Sequence, residues 1–180
     1  MKNIVLIPMI LFAFSFCDNR VVDMSNKDLS YKKLPPTKYR NATFENSNLS
    51  NSILNNSTFT NTNFKNANLS YSDLSYSKFR RTIFTNADIY GANLSRTSFE
   101  NADFSNFNLV NVNFSEANLK NAKFRNADLR GAIFNGADLE KADFSNAKVD
   151  LTQLFAARNI SKATMPFGMK FEEIRSNNKK

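Results

Sequence analysis

A strict five-residue repeat of apolar residues runs through most of this 180-residue chain. From Phe44 to Val149, each of 22 successive positions spaced five apart is Phe, Leu, Ile or Val. Ala, Ser or Thr lies two positions before 20 of these 22 apolar centres. A period of five fits neither the period of an α-helix, about 3.6 residues, nor that of a plain strand, about two. Repetition this long instead predicts a solenoid, in which stacked repeats bury one continuous core.

The individual repeats read Ala, then Asn or Asp, then Leu or Phe, as in Ala67-Asn68-Leu69 and Ala127-Asp128-Leu129. Over residues 42–149 at least, this pattern resembles that of the pentapeptide-repeat family. The resemblance implies an all-β fold, a right-handed quadrilateral β-helix solenoid in which four pentapeptides form one coil. It also implies that the apolar centre and the small residue two before it point inward, while the other three residues face solvent.

With four repeats in a coil, residues twenty positions apart should stack in columns. One column is Phe throughout and is the predicted structural core: Phe44, Phe64, Phe84, Phe104, Phe124 and Phe144. The next column, from Leu49 to Val149, is entirely aliphatic. The other two columns exchange Leu and Phe near Phe107 and Val112, which are large residues at otherwise small positions. We therefore expect a seam over 105–113, in the form of a bulge, a kink or a change of cross-section; minor repacking is the alternative.

The outward positions are rich in residues that favour turns. Asn or Asp precedes the apolar centre in 13 of the 22 repeats, and Asn or Gly is common two positions after it. These residues satisfy backbone groups locally and tolerate unusual backbone angles, as frequent corners require. Asn recurring at this spacing also predicts hydrogen-bonded ladders along the rod, with a structural role.

Residues 1–16 differ from the rest of the chain and predict an export signal. The apolar stretch 4–16 is too short to span a bilayer and too apolar for a soluble tail, which is typical of a secretory signal peptide. Cys17, the sole cysteine, follows directly. Its position resembles that of the acylated cysteine of a bacterial lipoprotein, so Cys17 is the predicted lipidation site.

The match to a lipoprotein signal has two departures. The family pattern prefers Leu three residues before the cysteine and Gly or Ala directly before it, whereas this chain has Phe14 and Phe16. Two alternatives therefore stay open: ordinary cleavage after Ser15, and an uncleaved anchor. The predicted location is the bacterial cell envelope, as a membrane-anchored lipoprotein or as a secreted or periplasmic protein.

Positive charge lies at the two ends of the chain. Residues 45–149 hold 11 Lys and Arg against 10 Asp and Glu, although the whole chain has a formal net charge of +8. Residues 17–40 are interpreted as a polar tether or as degenerate first repeats before the β-helix at 41–149. Basic residues there favour an anionic membrane near a lipid anchor, or they form a solvated flank that keeps the protein soluble.

Residues 150–180 predict a C-terminal cap followed by a basic tail. Asp150 and Gln153 have the spacing of a capping box and introduce a short helix. An open solenoid end exposes strand edges and core side chains, so it needs a cover. The apolar residues available for a cap, or for a homodimer through the same end, are Phe155, Met165, Phe167, Met169, Phe171 and Ile174.

Residue types that support catalysis are scarce. The chain has no His, so imidazole acid–base chemistry and His-containing metal sites are absent. Carboxylates such as Asp103, Asp128 and Asp143 precede an apolar centre and are interpreted as solvated turn residues. We therefore expect no enzyme activity, no catalytic or metal site and no cofactor.

The resemblance also brings an alternative function, since family members are known as cytoplasmic DNA mimics that modulate DNA gyrase. Such mimicry needs a strongly negative surface, which a nearly neutral rod with basic ends does not provide. Nucleic-acid binding is not expected either, because positive charge is not concentrated on one face and outward aromatics are few. The sequence predicts a non-catalytic structural or protein-interaction module. Its expected partners are an envelope protein or polymer, and the membrane through the lipid anchor.

Overall fold

The computed structural model describes residues 22–168 and Phe171. The predicted export signal, Cys17 and most of the basic tail lie outside these residues. The described chain winds into a parallel β-solenoid, in which residues pair with those twenty positions later, as in Asp23 with Thr43 and Asn48 with Asn68. The longest regular pairing joins strand β1 (Thr58–Thr60) to strand β2 (Lys78–Arg80) in parallel.

The twenty-residue offset divides the described chain into coils with four faces. We number the coils 1 to 7, over residues 22–41, 42–61, 62–81, 82–101, 102–121, 122–141 and 142–162; residues 163–168 begin a further turn that pairs with coil 7. Face 1 starts with the apolar centre Met24, face 2 with Leu29, face 3 with Leu34 and face 4 with Tyr39, and each face continues every twenty residues. Face 1 therefore carries the predicted Phe column.

A left-handed residue forms nearly every corner between two faces. From Met24 to Phe144, the residue two after each apolar centre has a positive φ, for example 57° at Asn46 and 57° at Asn66; the exception is Pro36. Asn adopts this conformation more readily than most residues. The corner is closed by a backbone hydrogen bond across three residues, as from Ser47 N–H to Phe44 O at 3.1 Å. The sequence therefore turns the chain once every five residues.

The core consists of the apolar centres and the small residues two before them. Phe44, Phe64, Phe124 and Phe144 on face 1 have no exposed surface, and neither do the small residues Ala122 and Ala127. Successive rings on this face stack nearly parallel, with centroids 5.0 Å apart for Phe44 and Phe64. Where Ser occupies the small position, its hydroxyl is satisfied internally: Ser47 Oγ donates to Phe44 O at 2.6 Å.

Coil 1 comprises residues 22–41, so the repeats begin before the expected boundary at 41. Each face of coil 1 pairs with coil 2, which identifies 22–40 as degenerate repeats rather than a tether. Tyr39 takes the place of Phe on face 4: its ring stacks on Phe59 at 5.1 Å, and its hydroxyl donates to Pro35 O at 2.9 Å. Burial raises the pKa of Tyr39.

The solenoid opens on one side between coils 4 and 5. In the described chain, the twenty-residue pairing is interrupted at Ile83 with Asp103 and at Asp88 with Asn108, on faces 1 and 2. Faces 3 and 4 of the same two coils stay paired, through Asn93 with Asn113 and Ser98 with Asn118. The two coils are therefore separated on faces 1 and 2 and joined on faces 3 and 4. We call the opening between residues 83–88 and 103–108 the wedge.

The wedge lies where the Phe column is interrupted. Phe64 stacks on Phe84 at 5.4 Å and Phe104 on Phe124 at 5.5 Å, but Phe84 does not stack on Phe104. Phe84 is only partly buried, which differs from the expectation of a uniform core. Phe107, too large for its position, is half-buried and meets Phe104 edge-on at 5.8 Å.

The expected seam over 105–113 is thus present but wider, because it reaches back to 83–89 in coil 4. Val112 does not contribute to it, since this residue is fully buried and its coil remains paired on face 3.

A short helix closes the C-terminal end. Helix α1 (Leu151–Phe155) begins with the capping box expected from the sequence: Asp150 Oδ1 accepts from Thr152 N–H at 2.8 Å, and Gln153 Oε1 accepts from Asp150 N–H at 2.9 Å. The Gln153 amide also donates to Leu129 O and Ala132 O, at 3.1 and 2.5 Å, and so covers carbonyls of coil 6.

The helix replaces face 3 of coil 7 and adds one residue to the coil. Leu154 is fully buried twenty positions after Phe134 and continues its column. The pairings after the helix are 21 residues apart, as in Asp138 with Asn159 and Asp143 with Thr164. Met165 is buried, whereas Phe155 and Phe167 are about half exposed; Met169 and Ile174 lie outside the described residues.

Candidate interaction surface

Because the interior is filled by the repeat, any function of the rod must reside on its outward side chains. In the part of the chain that the structure describes, no three His, Cys, Asp or Glu residues come together as a metal site would require. No helix within the same residues has the length and apolar character needed to cross a membrane. The outward side chains fall into four groups: turn carboxylates, an asparagine ladder, an aromatic cluster and charged residues.

The carboxylates singled out in the sequence serve the turns. Asp103 accepts hydrogen bonds from Ser105, which lower its pKa. A hydrogen bond from the Arg130 side chain lowers the pKa of Asp128. For Asp143, burial acts to raise the pKa, but the hydrogen bonds from Ser145 and the ion pair with Arg125 together outweigh it, so the pKa is lowered. Carboxylates held ionised in this way accept hydrogen bonds and are poor proton donors.

An asparagine ladder runs along the corner after face 1. Its seven members are Asn26, Asn46, Asn66, Asn86, Asn106, Asn126 and Asn146. Five of the side-chain amides donate to the Asn of the preceding coil, at distances of 2.9 to 3.3 Å. The link from Asn106 to Asn86 is missing from this series, at the same place where coils 4 and 5 part. The ladder expected from the sequence therefore exists and holds the coils in register.

A small aromatic cluster lies on the corner after face 2. Tyr71 and Tyr90 meet edge-on at 5.3 Å, and Tyr90 Oη accepts from the Asn111 amide at 3.1 Å. Tyr71 also covers Gly91, where φ is +62° and an added Cβ would lie 2.7 Å from the Tyr71 ring. Gly91 therefore adopts the left-handed corner angle without strain and leaves room for the Tyr71 ring.

Acidic and basic side chains are paired mainly in the C-terminal half of the rod. Arg96 lies over the Tyr76 ring and pairs with Glu116 at 2.8 Å. Lys120 and Arg158 both contact Asp138, a carboxylate with little exposed surface, at 3.5 and 3.3 Å. Other ion pairs of coils 5 to 7 join Lys123 to Asp103, Arg125 to Asp143, Arg130 and Lys148 to Asp128, and Lys141 to Glu140. The positive charge of these coils is thereby largely compensated.

The N-terminal half presents cations without such partners. Six exposed residues lie on faces 3 and 4 of coils 1 and 3, and we call them the basic face: Lys33, Lys38, Arg40, Lys78, Arg80 and Arg81. Among the described residues, none of the six lies within ion-pair distance of a carboxylate. The first carboxylate on face 4 is Glu100, in coil 4. On face 3, Asp73 already accepts hydrogen bonds from the Asn55 and Asn93 amides.

The basic face corrects one expectation from the sequence. The sequence pattern predicts no concentration of positive charge on one face, because residues of all four faces alternate along the chain. Lys38 and Lys78 are forty residues apart in sequence but two coils apart on face 4, so the fold gathers them. The signal that would have found them is the twenty-residue offset applied to the charges as well as to the core.

The comparisons with known proteins agree with this architecture. The model of the pentapeptide repeat region matches residues 32–103 and 77–154. A comparison with curated proteins finds no significant match. Among solved structures, trypsin-treated QnrB1, described as a plasmid-mediated fluoroquinolone resistance protein, aligns with a TM-score of 0.51 at 22% identity, covering 82% of this chain and 84% of that one.

A second solved structure is HetL, a pentapeptide repeat protein involved in heterocyst differentiation regulation from the cyanobacterium Nostoc sp. strain PCC 7120. It aligns with a TM-score of 0.38 at 19% identity, covering 88% of this chain and 95% of that one. At 22% identity the QnrB1 structure bears on the fold alone, which is the right-handed quadrilateral β-helix. Since the repeat model matches well over half of its residues, this chain belongs to the pentapeptide-repeat family.

Proposed function

We propose that this protein is a non-catalytic interaction module of the bacterial cell envelope, held at a membrane by a lipid on Cys17. The observation that carries the proposal is the use of the outward side chains. Most of them are engaged within the rod in turns, a ladder and ion pairs, and the basic face is left for a partner. A rigid surface of this kind suits binding rather than chemistry, since no acid, base and nucleophile converge on it.

The envelope location rests on the sequence of residues 1–17. An apolar stretch that ends at the sole cysteine is explained most simply by lipidation of that cysteine, and two or three acyl chains give stable anchoring. Because coil 1 begins at residue 22, the five steps from Cys17 reach about 18 Å at most when fully extended. The N-terminal end of the rod would then lie close to the bilayer.

The charge of the rod favours this proposal over a cytoplasmic DNA mimic that modulates gyrase. Residues 22–168 carry 18 Lys and Arg against 13 Asp and Glu. A surface that replaces the phosphates of DNA must be strongly negative. The partner that we propose instead is an anionic or polar component of the envelope, either a protein or a polymer.

The test is the substitution Cys17→Ser in cells that express the full chain. The wild-type protein should incorporate a fatty-acid analogue and fractionate with membranes, whereas Cys17→Ser should lose the label and move to the soluble fraction. Phe16→Ala is the matched control, since it keeps the cysteine and places the preferred small residue before it, so labelling should be retained or increased. An unmodified N-terminus at Phe16, found by mass spectrometry of wild-type protein, would show ordinary secretion and refute the anchor.

A further inference from the structure

We infer that the basic face binds the anionic surface of a lipid membrane, so that the rod lies along the bilayer on its side. The inference rests on the membrane location proposed above and adds a second point of attachment with a defined orientation. It depends on three observations: the placement of the six cations, their lack of carboxylate partners, and the position of coil 1 relative to the chain's N-terminal end.

The placement of the cations makes a flat, positively charged area. Lys38 and Arg40 of coil 1 lie on the same face as Lys78 and Arg80 of coil 3, with adjacent coils about 4.8 Å apart. The two rows are therefore separated by about 10 Å along the rod. Between them, face 4 of coil 2 carries Thr58 and Thr60 of strand β1, which are polar, uncharged and too small to keep the face away from a flat partner.

The lack of partners makes these charges available to a ligand. A cation that already pairs with a carboxylate must lose that contact before it can bind a second anion, whereas the six cations of the basic face lose only water. Coils 5 to 7 show the contrast, because Lys123, Arg125 and Lys141 each pair with a carboxylate. The attraction for an anionic surface should therefore come from the N-terminal half of the rod.

The orientation follows from the presence of cations on coil 3 as well as on coil 1. If the rod stood on its N-terminal end, only coil 1 would touch the membrane, and the attraction falls off within a Debye length of about 8 to 10 Å. Lys78, Arg80 and Arg81 reach the surface fully only when face 4 lies against it. The contribution of these three residues thus separates a rod on its side from a rod on its end.

The experiment measures binding to vesicles with the full chain carrying Cys17→Ser, so that acyl chains do not contribute. For each variant, the partition coefficient on vesicles containing phosphatidylglycerol is divided by that on vesicles of phosphatidylcholine alone, which cancels apolar contributions from residues 1–16. Since each cation at an anionic surface contributes about fivefold, the triple variant Lys78→Gln, Arg80→Gln, Arg81→Gln should lower the ratio by about 100-fold. A thermal melt followed by circular dichroism checks that each variant is folded.

The matched control removes the same amount of charge from the opposite half of the rod. The triple variant Lys123→Gln, Arg125→Gln, Lys141→Gln should change the ratio by a few-fold at most. Equal losses in the two variants would mean that only net charge matters, and an unchanged ratio in the coil 3 variant would mean that its cations do not reach the membrane; either result overturns the inference. Binding to soluble poly-glutamate without binding to vesicles would assign the basic face to an acidic protein and also overturn it.

The outcome of the vesicle-binding test is independent of the outcome of the Cys17 labelling test. Vesicle binding is measured without lipid on Cys17, so a negative result leaves the labelling experiment unaffected. Loss of the anchor, in turn, leaves the affinity of the basic face for anionic vesicles unchanged.

Discussion

At the residue scale, asparagine at the corners has two roles that few other residues combine. It accepts the left-handed backbone conformation that closes each corner, and after face 1 its amide also links adjacent coils. Where Tyr71, Arg81 or Glu116 occupies a corner, the same positive φ is imposed on a residue that adopts it less readily. These corners carry the outward aromatic cluster, the basic face and an ion pair. The corners whose residues adopt a positive φ less readily than Asn are therefore the ones that carry these distinctive surface side chains.

The six Phe of face 1 should not contribute equally to stability. We expect Phe64→Ala to lower the free energy of unfolding by about 3–5 kcal/mol, because it removes a fully buried ring from a stack. Phe84→Ala should cost clearly less, since this ring is already partly exposed at the wedge. Urea denaturation of both variants measures the difference. The outward change Thr85→Ala serves as control and should stay within about 0.5 kcal/mol; equal losses for the two Phe variants would show that the wedge is closed in solution.

The turn carboxylates predict loss of stability in acid. The pKa values of Asp23, Asp28, Asp103, Asp128, Asp143 and Asp150 all lie below the usual 3.8 in the folded protein. A folded-state pKa below the unfolded value stabilises the protein above the unfolded pKa, and this stability is lost as the pH falls through the folded pKa. The urea midpoint should therefore be constant at mildly acidic pH and decrease below about pH 4.

Asp103→Asn provides the control for this pH dependence. An Asn side-chain oxygen accepts the same backbone bond elsewhere in the rod, as Asn63 does from Lys65 N–H at 2.9 Å. The variant should thus keep its turn at neutral pH and show a smaller decrease in acid. A variant with the wild-type decrease would mean that Asp103 does not contribute to it.

At the element scale, the wedge between coils 4 and 5 is the main departure from regular stacking. We expect the backbone amides of Asp103 and Asn108 to exchange with solvent faster than those of Lys123 and Asp128. The latter two donate to the preceding coil at 2.9 and 3.0 Å, whereas the former lie at the interrupted pairings. Hydrogen exchange followed by NMR measures all four.

Phe107→Ala should slow exchange at Asp103 and Asn108, because an Ala at this position fits the small site and allows the two coils to approach. Val112→Ala is the control. Val112 is fully buried next to a paired face, so its truncation should lower stability without protecting these amides. Faster exchange at Asp103 in the Phe107→Ala variant would indicate that the ring supports the coil rather than opens it.

The sequence was sufficient for the elements that depend on local repetition. The inward Phe and Ala positions, the corner residues and the capping box at Asp150 each follow from spacing within a few residues. The burial of Phe84 does not, because it depends on whether Ile83 pairs with Asp103 in the next coil. The basic face was missed for a similar reason: whether Lys38 has a partner depends on carboxylates twenty or forty residues away. Local sequence spacing therefore predicts the repeat, the corners and the cap, but not the contacts between residues twenty or forty positions apart.

At the scale of the whole molecule, each coil contacts mainly its neighbours, so stability is expected to propagate only locally. The wedge weakens the coupling between coils 1–4 and coils 5–7. Phe64→Ala should therefore accelerate hydrogen exchange throughout coils 1–4 and leave the amides of coil 6, such as Lys123, close to wild type. Phe124→Ala provides the reciprocal measurement, with exchange accelerated in coils 5–7. Uniform acceleration over the entire rod in either variant would show that it unfolds as one cooperative unit.

The twenty-residue offset also restricts how a gene for such a protein can change length. Removal of residues 62–81 would delete coil 3 and leave every column of the remaining rod continuous, from Phe44 to what is now Phe84. Removal of only five residues would instead rotate all later coils by one face, which would break the asparagine ladder and place the charges of face 4 on a different side. The rod can therefore gain or lose whole coils without a change in its columns. An insertion or deletion of any other length would move the side chains of all later coils to different faces.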